Sequence, residues 1–531
     1  MKPYDMGVLF DECAEHAIPT TVRLDRPFDI APEGGTSYDV PALAGLVREV
    51  SAWWHAAGAR PGDPVAIVKD NHWDYVLLAC GAIRLGAVPA QIAGNLDAPS
   101  LATLLHRLRP SVLLAGSAVL QRCAEAGVDL RGLARTVLAL GEPVPGARSA
   151  DDVRGTPPPP PRRPEPDAPL VVVHTSGTTG VPKLVVHSTR TVIGTLARFE
   201  AVRVPVLAAR RDDVLANAGA WAHGRAFCWT ASVFCLGPRS ISILTGADPD
   251  TADPVLRAAP PTIVEATPAN YLRLRPLLSR LDNAFRNVRL YLSTFDAIHP
   301  PTVRDYLAAS GRRTPLWMQG WGQSETGPLT FRFFTRGSVR QRGERHPGTR
   351  NLGHPVPGRT RLRVVDPATL RPVPAGRPGL VLAATAATCL GYVGEDDRWA
   401  AKRDGRWFNT GDIGVRRRDG SLLLLDREVD HAGVLSCLEI EDVVADRLPE
   451  VIECVVLTTR GRPPLPVAVT EDGALDRAAW ATAVRDLPPL REPVALRWDE
   501  VPRTATGKVR RSALLAELQD GATLPGSGRW T

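Results

Sequence analysis

An α/β fold of more than one domain is what this chain predicts, on three observations. Its 531 residues exceed what one hydrophobic core usually organises. Helical and strand-like apolar runs alternate along it, the pattern of a layered α/β domain. A loop rich in Gly and Thr, Thr175 to Lys183, directly follows the apolar run Leu170 to Val173. That run predicts a buried strand, and a loop at a strand end lies where ligands collect in α/β sheets. In chain order, Val40 to Ala57 has helical apolar spacing, Pro61-Gly-Asp-Pro64 turns into the strand-like Val65 to Val68, and Asp74 to Leu85 predicts a second helix. Thr156 to Pro169 contains five consecutive prolines from Pro157 and predicts a stiff connector, since proline donates no backbone N–H to a helix or central strand.

Composition narrows the function classes. No run of about eighteen apolar residues appears, and the start Met1-Lys-Pro-Tyr-Asp lacks the pattern of an export signal, so a soluble cytoplasmic protein is expected. The eight cysteines form no C-x-x-C pair, which argues against a zinc site or a disulfide framework. The net charge of +7 is spread along the chain apart from an arginine-rich stretch, Arg332 to Arg350, expected to be a solvated loop rather than a surface for a polyphosphate or an acidic carrier domain. No nucleic-acid-binding motif is visible. Only five lysines occur, Lys2, Lys69, Lys183, Lys402 and Lys508, and two of them fall in phosphate-type motifs. There a compact ammonium on a flexible stem does what a planar guanidinium cannot.

The loop Thr175-Ser176-Gly177-Thr178-Thr179-Gly180-Val-Pro-Lys183 leaves backbone N–H groups free to wrap an anion and ends on a mobile positive charge. Its spacing is not the Walker pattern. With His174 before it and Val185-Val-His-Ser188 after it, the loop closely resembles the signature of the adenylate-forming superfamily, which includes acyl-CoA synthetases, nonribosomal adenylation domains, aryl-acid ligases and firefly luciferases. Leu184 stands where that family usually has glycine. Pro61-Gly-Asp63, Asn71, Gly86-Ala-Val-Pro89 and Asp419-Gly420 through Arg427 extend the resemblance over nearly the whole chain. It implies an AMP-binding N-terminal domain, residues 1–425, of two α/β-layered sheets plus a small β-barrel. A small mobile α+β lid, residues 426–531, would carry the catalytic lysine.

The implied reaction is attack of a carboxylate oxygen on the α-phosphorus of ATP, with Mg²⁺ present and pyrophosphate leaving. The small-molecule acid would then pass to CoA or an acyl carrier protein thiol, in an acid-thiol ligase or acyl-AMP ligase. In Gln319-Gly-Trp-Gly-Gln-Ser-Glu-Thr326, Trp321 offers a face for adenine, Gly322 a close backbone approach, Ser324 a donor to phosphate and Glu325 a hard oxygen ligand for Mg²⁺. Trp407-Phe-Asn-Thr-Gly-Asp412 matches the motif whose carboxylate accepts both ribose hydroxyls, and Arg427 would add a ribose contact. In Pro502-Arg-Thr-Ala-Thr-Gly-Lys-Val-Arg-Arg511, Gly507 makes a turn and Lys508 would bridge the acyl carboxylate and the α-phosphate. Trp221-Ala-His223 resembles the element that lines the acyl pocket, with His223 near the reacting carboxylate. Trp221, Phe227 and Trp229 read equally well as a pocket wall for an apolar or cyclic acid or as core.

Two departures stand out. Phe295, in Ser293-Thr-Phe-Asp-Ala-Ile298, occupies a position the family usually gives to glycine and is expected to narrow the acyl pocket. Between Arg427 and Glu439 the chain is about four residues shorter than the family pattern and lacks its Lys-x-x-Gly element, which helps form the pantetheine tunnel. Cys437 there reads as ordinary packing. The expectation is therefore an acyl-adenylate-forming enzyme. The alternatives are a full two-step acyl-CoA ligase, a luciferase-like oxygenase or a non-catalytic nucleotide-binding relative. A serine hydrolase is disfavoured because no Gly-x-Ser-x-Gly elbow accompanies a suitable His and acid.

Overall fold

The computed structural model describes residues 3–177, 181–340, 347–427, 436–459 and 462–519. They form two compact units, the first made of Met1–Glu265, Ser324–Gly327 and Ala386–Ala401, the second of Ala266–Gln323, Pro328–Thr385 and Lys402–Thr531.

In the first unit, α1 (Val40–Ala56) starts where the Asp39 side chain accepts from Ala42 N at 2.8 Å, a cap on an otherwise orphan donor. β1 (Pro64–Lys69) and α2 (Asp74–Leu85) follow. Every residue of α2 is buried, as expected of a helix apolar on all sides, and it ends at Gly86 in the left-handed conformation, φ 89°. It packs closely on α1: a Cβ added to Gly81 would lie 2.9 Å from Ser51 N. β2 (Val88–Ala93), β3 (Val112–Gly116), β4 (Thr136–Leu140), β5 (Pro169–His174) and β6 (Leu184–Ser188) complete the larger strands of one sheet. Its order is Gly391–Tyr392, β6, β5, β2, β1, β3, β4, Arg148–Ser149. The pairs from β5 to β4 are parallel, whereas β6 runs antiparallel to β5. The parallel strands read as continuous apolar runs because both faces are covered. As the five prolines require, residues 156–168 contain neither helix nor strand. A second sheet contains β7 (Val214–Ala218), which feeds α3 (Arg225–Leu236), then β8 (Ser240–Ile243) and β9 (Ile263–Ala266), in the order β9, β7, β8, Thr21–Leu24, Ser37–Tyr38.

In the second unit β10 (Leu290–Ser293) leads through α4 (Pro300–Ala309) to β11 (Leu316–Gln323), which pairs in parallel with β10. Antiparallel strands follow, among them β12 (Trp407–Arg416) and β13 (Leu422–Arg427), which place Asp412 opposite Arg427. Then α5 (Cys437–Arg447) packs with a three-stranded sheet, Glu453–Thr459, Arg462–Val469 and Val494–Leu496. The arginine-rich stretch is a solvated loop in part: it begins in a strand with Arg332, and residues 335–338 form an exposed turn. From that turn Arg336 donates to the carbonyls of Leu307 (2.9 Å), Arg312 (3.1 Å) and Ser310 (2.5 Å), covering the open end of α4. Residues 341–346 of that stretch lie outside the described residues. All eight cysteines are buried free thiols, Cys437 among them. No helix among the described residues is long and apolar enough to cross a membrane.

Two ion pairs tie α4 to α5. His299 Nδ1 lies 2.8 Å from Asp442, whose carboxylate also accepts from Thr349 N and Oγ1, and Arg304 pairs with Asp446 at 2.7 Å. Burial alone would lower the His299 pKa, but the Asp442 hydrogen bond and charge outweigh it and raise the value to about 9. A histidine raised by folding stabilises fully below its ordinary 6.5, and that contribution fades as pH rises through about 9. Wild type should therefore lose on the order of 3 kcal/mol of stability over this window that His299→Gln does not lose. Thermal midpoints of the two proteins at several pH values check this; parallel curves would remove the charged pair from the account.

Candidate functional site

The loop after β5 is clamped at both ends by backbone and side chain. Thr175 N donates to Lys183 O at 3.0 Å, and Lys183 N donates to Thr175 Oγ1 at 3.0 Å. His174 Nδ1 donates to the Thr175 carbonyl (2.7 Å) while its Nε2 accepts from Ala93 N (3.1 Å). Burial lowers its pKa, so it stays neutral and braces the strand end. Gly177 takes a φ of 66°, which a side chain would resist. Ser176 is half-buried beside it, and Thr178, Thr179 and Gly180 lie outside the described residues.

Lys183 leaves that clamp for an acidic partner. Its Nζ lies 3.3 Å from Glu325 Oε1 and 3.4 Å from the Tyr392 hydroxyl, which itself donates to Glu325 Oε1 at 2.6 Å. Burial and the Glu325 charge push the Tyr392 phenol up, so it stays protonated, donating to Glu325 and accepting from Lys183. Glu325 is 4% exposed, and its Oε2 has no protein partner among the described residues. His187 Nε2 donates to the Ser324 carbonyl at 2.7 Å and fixes the backbone beside Glu325. Burial keeps this imidazole's pKa low as well. On the other side of Ser324, His223 Nε2 lies 3.3 Å from its hydroxyl. Because Arg225 N donates to His223 Nδ1 at 3.2 Å, Nε2 carries the proton. Asn71 holds the turn before His223, accepting from Trp221 N (2.8 Å) and donating to the carbonyls of Gly219 (3.0 Å) and Thr245 (2.9 Å). Trp221, Phe227 and Trp229 are all buried, with Trp221 edge-on to Trp229 at 5.6 Å between centroids.

The second unit holds its own cluster. Asp412, 3% exposed, pairs with Arg427 Nε at 3.0 Å and accepts from Gln323 Nε2 at 3.1 Å. Gln323 is fixed in turn by Thr410 O at 2.6 Å. Burial raises the Asp412 pKa above 3.8, while Arg427, Gln323, Lys508 and Lys402 oppose it. Lys508 is half-buried, and burial, with Arg427 adding, pulls its pKa below 10.5 against the pull of Asp296 and Asp412. Its Nζ has no hydrogen-bond or ion-pair partner among the described residues. The loop that carries it is closed by Thr504 N donating to Lys508 O (2.8 Å) and Lys508 N donating to Thr504 Oγ1 (3.2 Å). Gly507 there is doubly required: its φ is 82°, and an added Cβ would lie 2.5 Å from Ala269 Cβ. Trp321 packs against Leu352, Val364, Val381 and Leu422 yet stays partly exposed, and the following Gly322 is exposed. Gln319, on the same strand, is 5% exposed with Oε1 unpartnered. Phe295 keeps the left-handed conformation usual for glycine, φ 81°, at the end of β10. A bulky residue there costs about 1–3 kcal/mol, so the ring is held against a backbone preference. The shortened junction, residues 428–435, lies outside the described residues.

Sequence motifs led to Lys183, Glu325, Asp412, Arg427 and Lys508, and the structure brings Lys183 to Glu325, and Asp412 to Arg427 with Lys508 nearby. Gln323, Lys402, Tyr392, Gln319 and His187 were not singled out. Lysine scarcity was a usable signal for Lys402, whose Nζ would lie 3.2 Å from a Cβ on Gly411.

A sequence model described as AMP-binding enzyme matches residues 23–393. The chain is 36% identical to the 3-amino-2-hydroxy-4-methoxybenzoate diazotase of Streptomyces cremeus, over 97% of this chain and 95% of that protein. It is 28% identical to a 3-hydroxybenzoate–CoA ligase of an Aromatoleum species, over 92% and 93% of the two chains. The crystal structure of an anthranilate CoA ligase in complex with anthranoyl-AMP superposes with a TM-score of 0.79 at 22% identity, covering 99% of each chain. On these likenesses the chain belongs to the AMP-binding enzymes, the adenylate-forming superfamily.

Proposed function

We propose that this enzyme uses ATP and Mg²⁺ to convert a carboxylic acid, apolar or cyclic, into an acyl-adenylate with release of pyrophosphate. One observation carries the reading: an uncommitted, half-buried lysine ammonium lies close to a buried carboxylate that is already oriented by Arg427 and Gln323. Asp412 would accept the ribose hydroxyls, Arg427 would assist, and Gln319 Oε1 would accept from the adenine amino group while Trp321 offers its face. Thr175, Ser176, Gly177, Thr178, Thr179, Gly180 and Lys183 would hold the phosphates, with Ser324 as a further donor. Lys508 would meet the charge that builds as the acid oxygen closes on the α-phosphorus. His223 would stand on the acid side, with Phe295, Trp221 and Phe227 limiting what fits. Residues 1–425 would hold the nucleotide and residues 426–531 would act as the lid that delivers Lys508.

The residues fit Mg²⁺ carried on ATP. Among the described residues no group of three or more His, Cys, Asp or Glu side chains is placed to hold a metal. A single buried carboxylate, Glu325, has one oxygen uncommitted, which suits an ion that takes most of its ligands from phosphate and water. Mg²⁺ would neutralise charge on the departing pyrophosphate.

A second reading is favoured by the 36% identity to a diazotase that acts on an aminobenzoate. In it the activated oxyanion is nitrite. A nitrite oxygen displaces pyrophosphate from the α-phosphorus, and the arylamine nitrogen attacks the nitrosyl nitrogen, releasing AMP and a proton. The resulting N-nitrosamine tautomerises to a diazohydroxide and loses hydroxide to give the diazonium ion, without net redox. Both readings share the adenylation machinery. ATP–pyrophosphate exchange measured with aromatic acids, and separately with nitrite, tests them: exchange with acids supports the first, exchange driven by nitrite the second, and none in either arm refutes both. With CoA added, the missing Lys-x-x-Gly element predicts exchange without thioester; brisk CoA-ester formation would overturn that expectation.

A further inference from the structure

One face of α3 carries more charge than its own partners balance. Arg225, Cys228, Trp229 and Ser232 stand at i, i+3, i+4 and i+7, so they share that face. Arg225 donates to Glu265 through Nε (2.7 Å) and Nη2 (2.9 Å), and through Nη1 to Glu200, whose other oxygen accepts from Ser232 Oγ at 3.3 Å. Two carboxylates on one guanidinium leave a formal charge of minus one. The cluster is sheltered but not sealed, with side-chain exposures of 18% for Arg225, 17% for Glu200 and 6% for Glu265. An uncompensated charge at such depth is costly unless further donors reach it.

Its position ties it to the candidate site. Arg225 N donates to His223 Nδ1, so the cluster begins two residues from the side chain assigned to the acid. Glu265 lies on β9 and α3 follows β7, the strand ends where α/β sheets bind ligands. A separate observation falls on the same face. Trp221 packs on Trp229, and its buried Nε1 has no hydrogen-bond partner in the structure. A buried indole N–H normally finds one.

We propose that the Glu200–Arg225–Glu265 cluster recognises an amino group on an aromatic acid, the amine N–H donating to a carboxylate oxygen, with Trp221 Nε1–H donating to a ring oxygen substituent. The inference rests on the reading of His223 as an acid-side residue. It narrows the substrate class to aminoaryl acids, whether the acid carboxylate or nitrite is the group activated. Arg225 neutralises one carboxylate and orients both, and the second is left for the ligand.

Calorimetric binding of 3-aminobenzoate and of benzoate to the full chain, wild type and Glu200→Gln, tests it. Glu200→Gln keeps the Arg225–Glu265 pair, and its thermal midpoint reports folding. Wild type should bind the amino acid at least about tenfold more tightly, since a hydrogen bond to a charged group is worth that much, and Glu200→Gln should bring the ratio close to one. A wild-type ratio near one, or a variant that weakens both acids equally and preserves the ratio, would overturn the proposal. Pyrophosphate exchange run in parallel reports on adenylation itself: exchange with no amino preference sinks the amine inference alone, whereas amino-selective binding without exchange sinks only the adenylation reading.

Discussion

Lys508→Ala lowers pyrophosphate exchange by about 10²–10³-fold with little change in ATP affinity, the size expected when a preorganised charge at the reacting centre is removed. Several features would make Lys508 the largest single contributor to the proposed adenylation. Its ammonium is desolvated, has no committed partner among the described residues, and is presented by a turn that only glycine permits at position 507. It therefore pays little reorganisation to meet charge developing on phosphorus. The folding partners of its loop, Thr504 N and Oγ1, bond to the backbone of residue 508, so the alanine variant keeps the loop. Lys508→Arg should not restore the rate, because a planar guanidinium is not a compact point charge on a flexible stem. Unchanged exchange in Lys508→Ala would remove this residue from catalysis.

Glu325→Gln lowers kcat/KM by at least about 10²-fold and raises the Mg²⁺ concentration needed for half-maximal rate, since a lost carboxylate ligand forfeits several kcal/mol of charge stabilisation. The Glu325 geometry separates that role from simple packing. The glutamine is isosteric and can still accept from Tyr392 Oη and Lys183 Nζ through its carbonyl, so the fold is preserved while the charge is lost. Tyr392→Phe removes one hydrogen bond to the same oxygen and should cost about tenfold. Titrating activity against Mg²⁺ in the three proteins checks this; a glutamine variant with wild-type Mg²⁺ dependence would show that Glu325 is no metal ligand.

How much was legible beforehand depended on how local the determinants are. The helix Val40–Ala56, the strand Pro64–Lys69, the helix Asp74–Leu85 and the strand Pro169–His174 follow from periodicity, caps and a proline run, all written in neighbouring residues. The motif residues Lys183, Glu325, Asp412 and Lys508 were visible because anion cradles and turns need fixed spacings of glycine and polar side chains. Tyr392 was not, because its partner Glu325 lies 67 positions away and nothing near Tyr392 marks it. Gln323 sat within a recognised motif, but its amide is committed to Asp412 and Thr410 only once two strands pair. Phe295 shows a different limit: its sequence position predicted a departure from glycine, and only the backbone shows that the left-handed conformation is retained with the ring in place. Arg336 is exposed, as expected, but its bonds to the end of α4 were not legible, because composition records charge, not the carbonyl groups a folded helix end presents to it.

In the proposed reaction an oxyanion of the substrate, not water, attacks the α-phosphorus of ATP. Mass spectrometry of AMP formed during turnover with an ¹⁸O-labelled aromatic acid, and in a parallel reaction with ¹⁸O-labelled nitrite, tests it most directly. AMP carrying one heavy oxygen from the labelled acid or the labelled nitrite is the predicted result; unlabelled AMP in both reactions, or ADP as the nucleotide product, would contradict it.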